Sequence, residues 1–368
     1  MSYQDVPAPR ENPELNGQDA ALAVLQRALA SGRLAHGWLF TGPPGVGKAT
    51  LAFRFARALL AGPEAVDERL SMRPDHPVFR QVAQDAHPDL RVIEAERDPR
   101  TGRLRSEITV DVVRAATAAL RVTAGAGGWR VAVIDGAETL NRNAANALLK
   151  TLEEPPAQAV LILVSHRPAA LPATIRSRCA KLRLQPLSDD AVADALARLA
   201  PELDEEQRRA LTVLARGSIG RALAFAEGGQ LEAYQRLAAA LSKQPIDHLV
   251  LDELSGELAR AEERGGIAGT LTLVQELLAR VVAAGLDRLG PPLFPDEAGQ
   301  LAALAARRPL DRWATLWEKV ARLAAAVEAL NLERGHALMQ MLTLLAPDAD
   351  HADRAPGGGA LGANHVRG

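Results

Sequence analysis

The chain has 368 residues, of which 48% are apolar and 24% charged, with 43 Lys plus Arg set against 45 Asp plus Glu. At roughly 150 residues per domain this length suggests two or three domains, and the charge balance excludes a basic nucleic-acid coat or an acidic tail as a whole-chain property. One cysteine, Cys179, excludes an internal disulfide framework and a four-cysteine zinc site and fits a reducing compartment, while aromatic residues at 3% argue against a stacking platform for single-stranded nucleic acid.

The N-terminal stretch MSYQDVPAPRENPE has no apolar region of the secretory type. Gly37 to Phe40 reads as a strand and Ala49 to Leu60 as a helix. Leu90 to Ile93 and Arg130 to Ile134 read as strands, and Asp111 to Leu120 and Asn143 to Leu152 as helices. Pro155 and Pro156 stop the last of these. Val160 to Val164 and Lys181 to Leu184 complete the strands; the run from Ala159 to Val164 is far short of the ~20 residues of a membrane helix. Alternating strands and helices predict an α/β domain with a parallel sheet over residues 1–185. Beyond Pro186 the strand signals end. Ser188 opens the first of three short helices that run to about Glu227, Gly228 and Gly229 punctuate the chain, and longer amphipathic helices follow over 230–347. Leu271, Val274, Leu277, Leu278, Val281 and Val282 form one apolar stripe; Trp313, Leu316, Trp317, Val320, Leu323, Val327 and Leu330 form another. Residues 348–368, rich in Gly, Ala and Asp, are expected to be disordered.

The strand-to-helix turn Gly42-Pro43-Pro44-Gly45-Val46-Gly47-Lys48 is a phosphate-binding loop by its setting. Its glycines let successive amides turn toward phosphate oxygens, the helix N-terminus adds its dipole, and Lys48 reaches the outer phosphates. The alternative is a glycine-rich turn without a ligand. The chain has only five lysines beside 38 arginines, and Lys48 is one of the five. A compact ammonium and a planar guanidinium are not interchangeable there. The next residue should carry the hydroxyl that holds Mg²⁺, but it is Ala49; Thr50 comes one residue late, ~100° round a helix. Asp135 ends a later strand and could take part in metal binding through water. Where an ATPase needs a Glu to activate water there is Gly136, and Glu138 lies too far on to substitute. Two of the parts on which phosphoryl transfer depends are missing.

Four segments carry a resemblance. They are His36 through Lys48 (HGWLFTGPPGVGK), Val133-Ile-Asp135, Asn146 through Pro156 (NALLKTLEEPP) and Ser177-Arg-Cys179. The sequence resembles the bacterial DNA polymerase III clamp-loader subunits, which are AAA+ proteins, strongly over residues 12–227 and more weakly over the helical remainder. The resemblance implies a P-loop AAA+ domain (1–185), a three-helix lid (186–229), a helical collar that oligomerises (230–347) and a tail (348–368). It also implies a cytoplasmic hetero-oligomer with tau/gamma and delta subunits that loads a sliding clamp onto primer–template DNA without reading sequence, and no membrane association.

Two kinds of subunit in that group carry these motifs: the ATP-hydrolysing tau/gamma kind and the delta-prime kind. Ala49 and Gly136 favour the latter, as does Gly217-Ser-Ile-Gly-Arg221, where the family's sensor arginine falls at Gly220. By resemblance Arg178 is an arginine finger acting on a neighbour's ATP; the alternative is a helix cap or a pair with a local carboxylate. Arg176 is the less suited of the two, and Cys179 reads as a small buried apolar residue. Arg114, Asn141 and Arg142 fall where relatives meet DNA phosphates, a surface role being the alternative. Many relatives bind zinc through four cysteines absent from residues 61–88 here, so no zinc is expected, and His76 and His87 are expected on the surface. Nucleotide binding stays open, as do an ATPase motor and a pure scaffold as alternative functions.

Overall fold

The computed structural model describes residues 7–94, 107–122, 125, 128–227, 229–243, 253, 254, 256, 257, 268–330, 340–342, 344 and 345. The tail 348–368 and most of the charged loop between Glu94 and Glu107 lie outside them. The chain divides into two compact units, one of residues 1–208 and 215–223, the other of residues 209–214 and 224–368.

In the first unit five strands form one parallel sheet in the order β2-β3-β4-β1-β5. They are β1 (Gly37–Thr41), β2 (Leu90–Ile93), β3 (Arg130–Asp135), β4 (Ala159–Ser165) and β5 (Ala180–Arg183). The apolar runs in β3 and β4 are those of central strands covered on both faces, and every residue of β4 is buried. Trp38, Phe40, Val131, Val133, Val160 and Ile162 point into one core, under α1 (Asp19–Ala30) and α2 (Lys48–Ala61). Leu39, Ala132, Ile134, Leu161 and Leu163 point into the other, under α4 (Val110–Ala119) and α5 (Arg142–Glu153). The twofold alternation of a strand thus feeds two helical layers. Short helices α3 (Pro77–Ala83) and α6 (Ala173–Arg176) complete this part. Ser188 caps α7 (Asp189–Leu199) by accepting from the Ala191 amide at 3.3 Å. Helices α8 (Glu205–Ala215) and α9 (Ile219–Glu227) follow.

Sequence patterning misses α1 and α3, and it misses how the N-terminal segment is held. Two arginines one turn apart on α2, Arg54 and Arg57, are almost fully buried, and neither forms a salt bridge with a carboxylate among the described residues. Arg54 donates to the Arg69 carbonyl at 3.0 Å and to that of Pro13; Arg57 donates to the carbonyls of Arg10 and Asn12 at 3.0 and 3.2 Å. Burial beside Arg54 lowers the Arg57 pKa to about 10, and its guanidinium lies 4.4 Å from the Phe79 ring centroid. These bonds strap residues 10–13 across the helix that follows the phosphate loop.

The second unit contains α10 (Gln230–Ser242), α11 (Ala268–Gly285), α12 (Glu297–Ala305) and α13 (Leu310–Leu330). Val274, Leu277, Leu278, Val281, Trp313, Leu316 and Val320 are buried as the stripes require. Trp317 departs from expectation: it is 42% exposed, four residues and ~40° round the helix from the buried Trp313. The side chains of Leu271, Val327 and Leu330 lie outside the described residues. A buried polar cluster pins three helices. The Glu297 carboxylate takes both ends of the Arg280 guanidinium at 2.7 Å, the Tyr234 hydroxyl at 2.8 Å and the Leu293 amide at 2.6 Å.

Candidate functional site

The sheet registers bring three strand ends to one edge. Thr41 stands opposite Ser165, and Val164 opposite Asp135. The loop after β1 therefore opens beside the ends of β3 and β4, on the carboxyl side where parallel sheets bind ligands. A cavity of about 410 Å³ lies there. Of the sequence-predicted residues, Pro44, Gly45, Val46, Gly47, Lys48, Ala49, Thr50 and Asp135 all line it. Gly42 and Pro43 do not, but their carbonyls accept from the Lys48 ammonium at 2.9 and 2.6 Å. Gly47 precedes α2 with φ of +95°, a left-handed conformation that glycine adopts without strain. Apolar residues of the N-terminal strap and of α7 and α9, including Leu15, Leu199 and Leu223, form the rest of the wall.

Burial lowers the pKa of Lys48, against the opposing pull of Asp135 and Glu138. Burial also raises that of Asp135, with a backbone hydrogen bond from Gly136 opposing it. Glu138, whose side chain has no exposed surface, meets His166 Nδ1 at 2.5 Å. Its own burial would raise its pKa, but hydrogen bonds from His166 and Ser165 win and bring it down to about 2. Glu138 thus lies against His166, while neither of its buried oxygens has a hydrogen bond of regular geometry among the described residues. Phosphate groups fit the loop amides and Lys48. A Mg²⁺ ion does not fit in the usual way: Ala49 presents a methyl group, Thr50 sits further round the helix, and the Asp135 charge is disfavoured by burial.

The segment from Gly217 to Arg221 presses directly on the loop. The Ser218 hydroxyl donates to the Pro44 carbonyl at 2.8 Å and the Gly220 amide to the Gly45 carbonyl at 3.1 Å. A Cβ on Gly220 would lie 2.9 Å from the Gly45 Cα, so the position at which the family places its sensor arginine is here a backbone-to-backbone contact.

Arg178 follows α6 and is 38% exposed. Its Nη2 lies 2.8 Å from Glu153 Oε1, and its Nη1 donates to the Thr174 carbonyl at 3.0 Å. Within the single chain the local-carboxylate alternative is therefore realised. Arg176 is used internally: it donates to the carbonyls of Pro168, Ala169 and Leu171. Cys179 is buried, which pushes its thiol up to about 11 and leaves it inert. Arg114 is exposed, 3.9 Å from Asp111. Asn141 caps α5, accepting from the Ala144 amide at 2.9 Å, and Arg142 opens that helix on the surface. The expected surface position of His87 is wrong. It is 5% exposed, and its Nδ1 accepts from the Asp89 amide at 3.2 Å. His76 is half-buried as the cap of α3.

The first unit is thus an α/β domain with a five-stranded parallel sheet and a phosphate-loop sequence between β1 and α2. Residues 17–188 match the profile of the family described as DNA polymerase III, delta subunit. It is 37% identical over 184 residues to the DNA polymerase III subunit delta' of Pseudomonas aeruginosa, covering 50% of this chain and 53% of the relative. It is 34% identical over 215 residues to subunit delta' of Escherichia coli, covering 58% and 60%. Subunit tau of Bacillus subtilis is 29% identical over 275 residues, covering 74% of this chain and 44% of its own length. The chain thus spans about half the length of these relatives. Among the described residues no helix is long and apolar enough to cross a membrane.

Sequence reasoning missed Ser165 and His166, and it missed Gln18 at the loop's outer side. Ser165 and His166 carried one faint signal, the end of an apolar strand. Gln18 carried none.

Proposed function

We propose that this chain is a delta-prime-type subunit of a DNA polymerase III clamp loader, working with tau/gamma and delta subunits to place a sliding clamp on primer–template DNA. The AAA+ core, the lid of residues 186–229 and the collar of residues 230–347 serve as a stationary face in that assembly, and Arg178 acts in trans on ATP held by a neighbour. The observation that carries this reading is the phosphate loop without its chemistry. Ala49 and Gly136 remove the metal hydroxyl and the water-activating carboxylate, and Glu138 lies against His166. Exposure of Arg178 beside the α5 terminus supports the second half. Contacts of Arg114, Asn141 and Arg142 with DNA phosphates belong to the same reading; they would position a duplex and leave its sequence unread.

The cavity beside the loop and the long match to a tau subunit favour a second reading, an ATP-hydrolysing motor. Steady-state phosphate release by the purified chain with Mg²⁺ separates the two. The delta-prime reading expects none. Turnover abolished by Lys48→Ala would establish the motor. A pure scaffold would behave as the first in that assay and is separated from it only in the assembled complex.

A further inference from the structure

We infer that Gln18 is a positioning residue that fastens the phosphate loop to the connection between β5 and α7 through protein contacts alone. This goes beyond the clamp-loader reading and does not depend on it. One side chain reads three backbone groups from two distant parts of the chain. Gln18 Nε2 donates to the Gln185 carbonyl at 2.8 Å and to the Val46 carbonyl at 3.2 Å, and its Oε1 accepts from the Gln185 amide at 3.3 Å. A primary amide has two N–H donors, and both are used, one on the loop and one on the connection. Only Gln among the amides is long enough to do this from the end of α1, and only an uncharged carboxamide both donates and accepts.

The neighbouring contacts make the same joint from the other side. Leu187 donates to the Gly217 carbonyl at 2.8 Å, a Cβ on Gly217 would lie 2.5 Å from the Leu187 carbonyl oxygen, and Ser218 and Gly220 reach the loop at Pro44 and Gly45. A Cβ on Gly17 would lie 2.6 Å from the Leu187 side chain. Gln18 itself holds φ of +63°, uncommon for a residue with a side chain, so the backbone is held where the clamp needs it. The loop is thereby bound to residues 185–187 and 217–220 as one body. This gives Gln18 a role in how closed the cavity stands.

The test is amide-resolved hydrogen exchange on the full chain, comparing the parent with Gln18→Ala and the isosteric Gln18→Glu. Two amides report directly: Gln185, which donates to Gln18, and Gly220, which donates to the Gly45 carbonyl. Leu184, which donates to the Thr41 carbonyl, and the β4 amides are internal controls. Gln18→Ala should exchange at least about tenfold faster at Gln185 and at Gly220 while the controls hold; Gln18→Glu, whose carboxylate still accepts from the Gln185 amide but cannot donate to the Val46 and Gln185 carbonyls, should do so at Gly220. Acceleration at Gln185 alone would mean that the loop is not coupled, and would overturn the inference. So would full protection of Gly220 in Gln18→Glu, which would make the residue a packing element, or a uniform rise across β4, which would make it a general stabiliser. If Gln18→Ala does not fold, the Gly220 readout on Gln18→Glu decides.

Discussion

Arg178 and Glu153 form an ion pair, 2.8 Å from Nη2 to Oε1, between the second residue after α6 and the last residue of α5. Both side chains are substantially exposed, so water screens the pair, and such contacts contribute about 0–1 kcal/mol. The pair orients the guanidinium without trapping it. Glu153→Gln should therefore leave the unfolding free energy of the chain within about 1 kcal/mol of the parent in a denaturant titration. It should change the ATPase of a complex containing this subunit by no more than about fivefold, the rate equivalent of that energy. A larger loss of ATPase with unchanged assembly would make Glu153 part of the interface chemistry.

Restoring the missing residues should not make the chain an ATPase. Ala49→Ser replaces a methyl group on the first turn of α2 by a hydroxymethyl and returns the metal ligand. Gly136→Glu would meet only ordinary contacts with Thr139 but has a φ of +73°, which costs a side-chain-bearing residue about 1–3 kcal/mol. The expected result is folded Ala49→Ser protein with no steady phosphate release, and a Gly136→Glu protein with a lowered melting temperature. Robust turnover in Ala49→Ser alone would show that a working carboxylate is already in place.

Glu138 links the site to acid stability. Its folded pKa, about 2, is depressed below the ordinary 4.5 by His166 and Ser165. A depressed carboxylate stabilises the fold above its unfolded pKa, and that contribution is lost as pH falls from about 4.5 through about 2. His166→Ala removes the leading favourable partner and leaves burial less opposed, so the Glu138 pKa should rise. The acid-unfolding midpoint, followed by far-ultraviolet circular dichroism, should move to higher pH. An unchanged midpoint would mean that the Glu138–His166 contact contributes nothing to the fold.

The strands were legible because central parallel strands write themselves as unbroken apolar runs: β2 matches its predicted ends, and the others differ by one or two residues. The phosphate loop was legible because its residues are local in sequence. Ala49 and Gly136 were informative for the same reason: each is one residue read against a short motif. What stayed hidden is what the chain brings together from afar. Gln18 meets Gln185 and Val46, Ser218 and Gly220 meet the loop, and Arg54 and Arg57 grip residues 10–13; none of these pairs shares a spacing. His87 was misplaced because a histidine whose ring accepts from an amide two residues away can be buried. Trp317 was misplaced because an apolar stripe fixes which face of a helix is buried but not how wide that face is.

The most direct measurement of the proposed function is the DNA- and clamp-stimulated ATPase of a fully assembled loader carrying Arg178→Ala, with Arg176→Ala as the internally bonded control. An arginine finger contributes about 10³ to 10⁵ in turnover in GTPases, and the effect in a complex with several ATP sites should be smaller because the other sites keep their own. The expected result is unchanged assembly, a clear fall in stimulated ATPase and clamp-loading rate, and poor rescue by Arg178→Lys, whose ammonium lacks the planar fork. ATPase and loading rates equal to the parent in an intact Arg178→Ala complex would contradict it and leave the chain a scaffold.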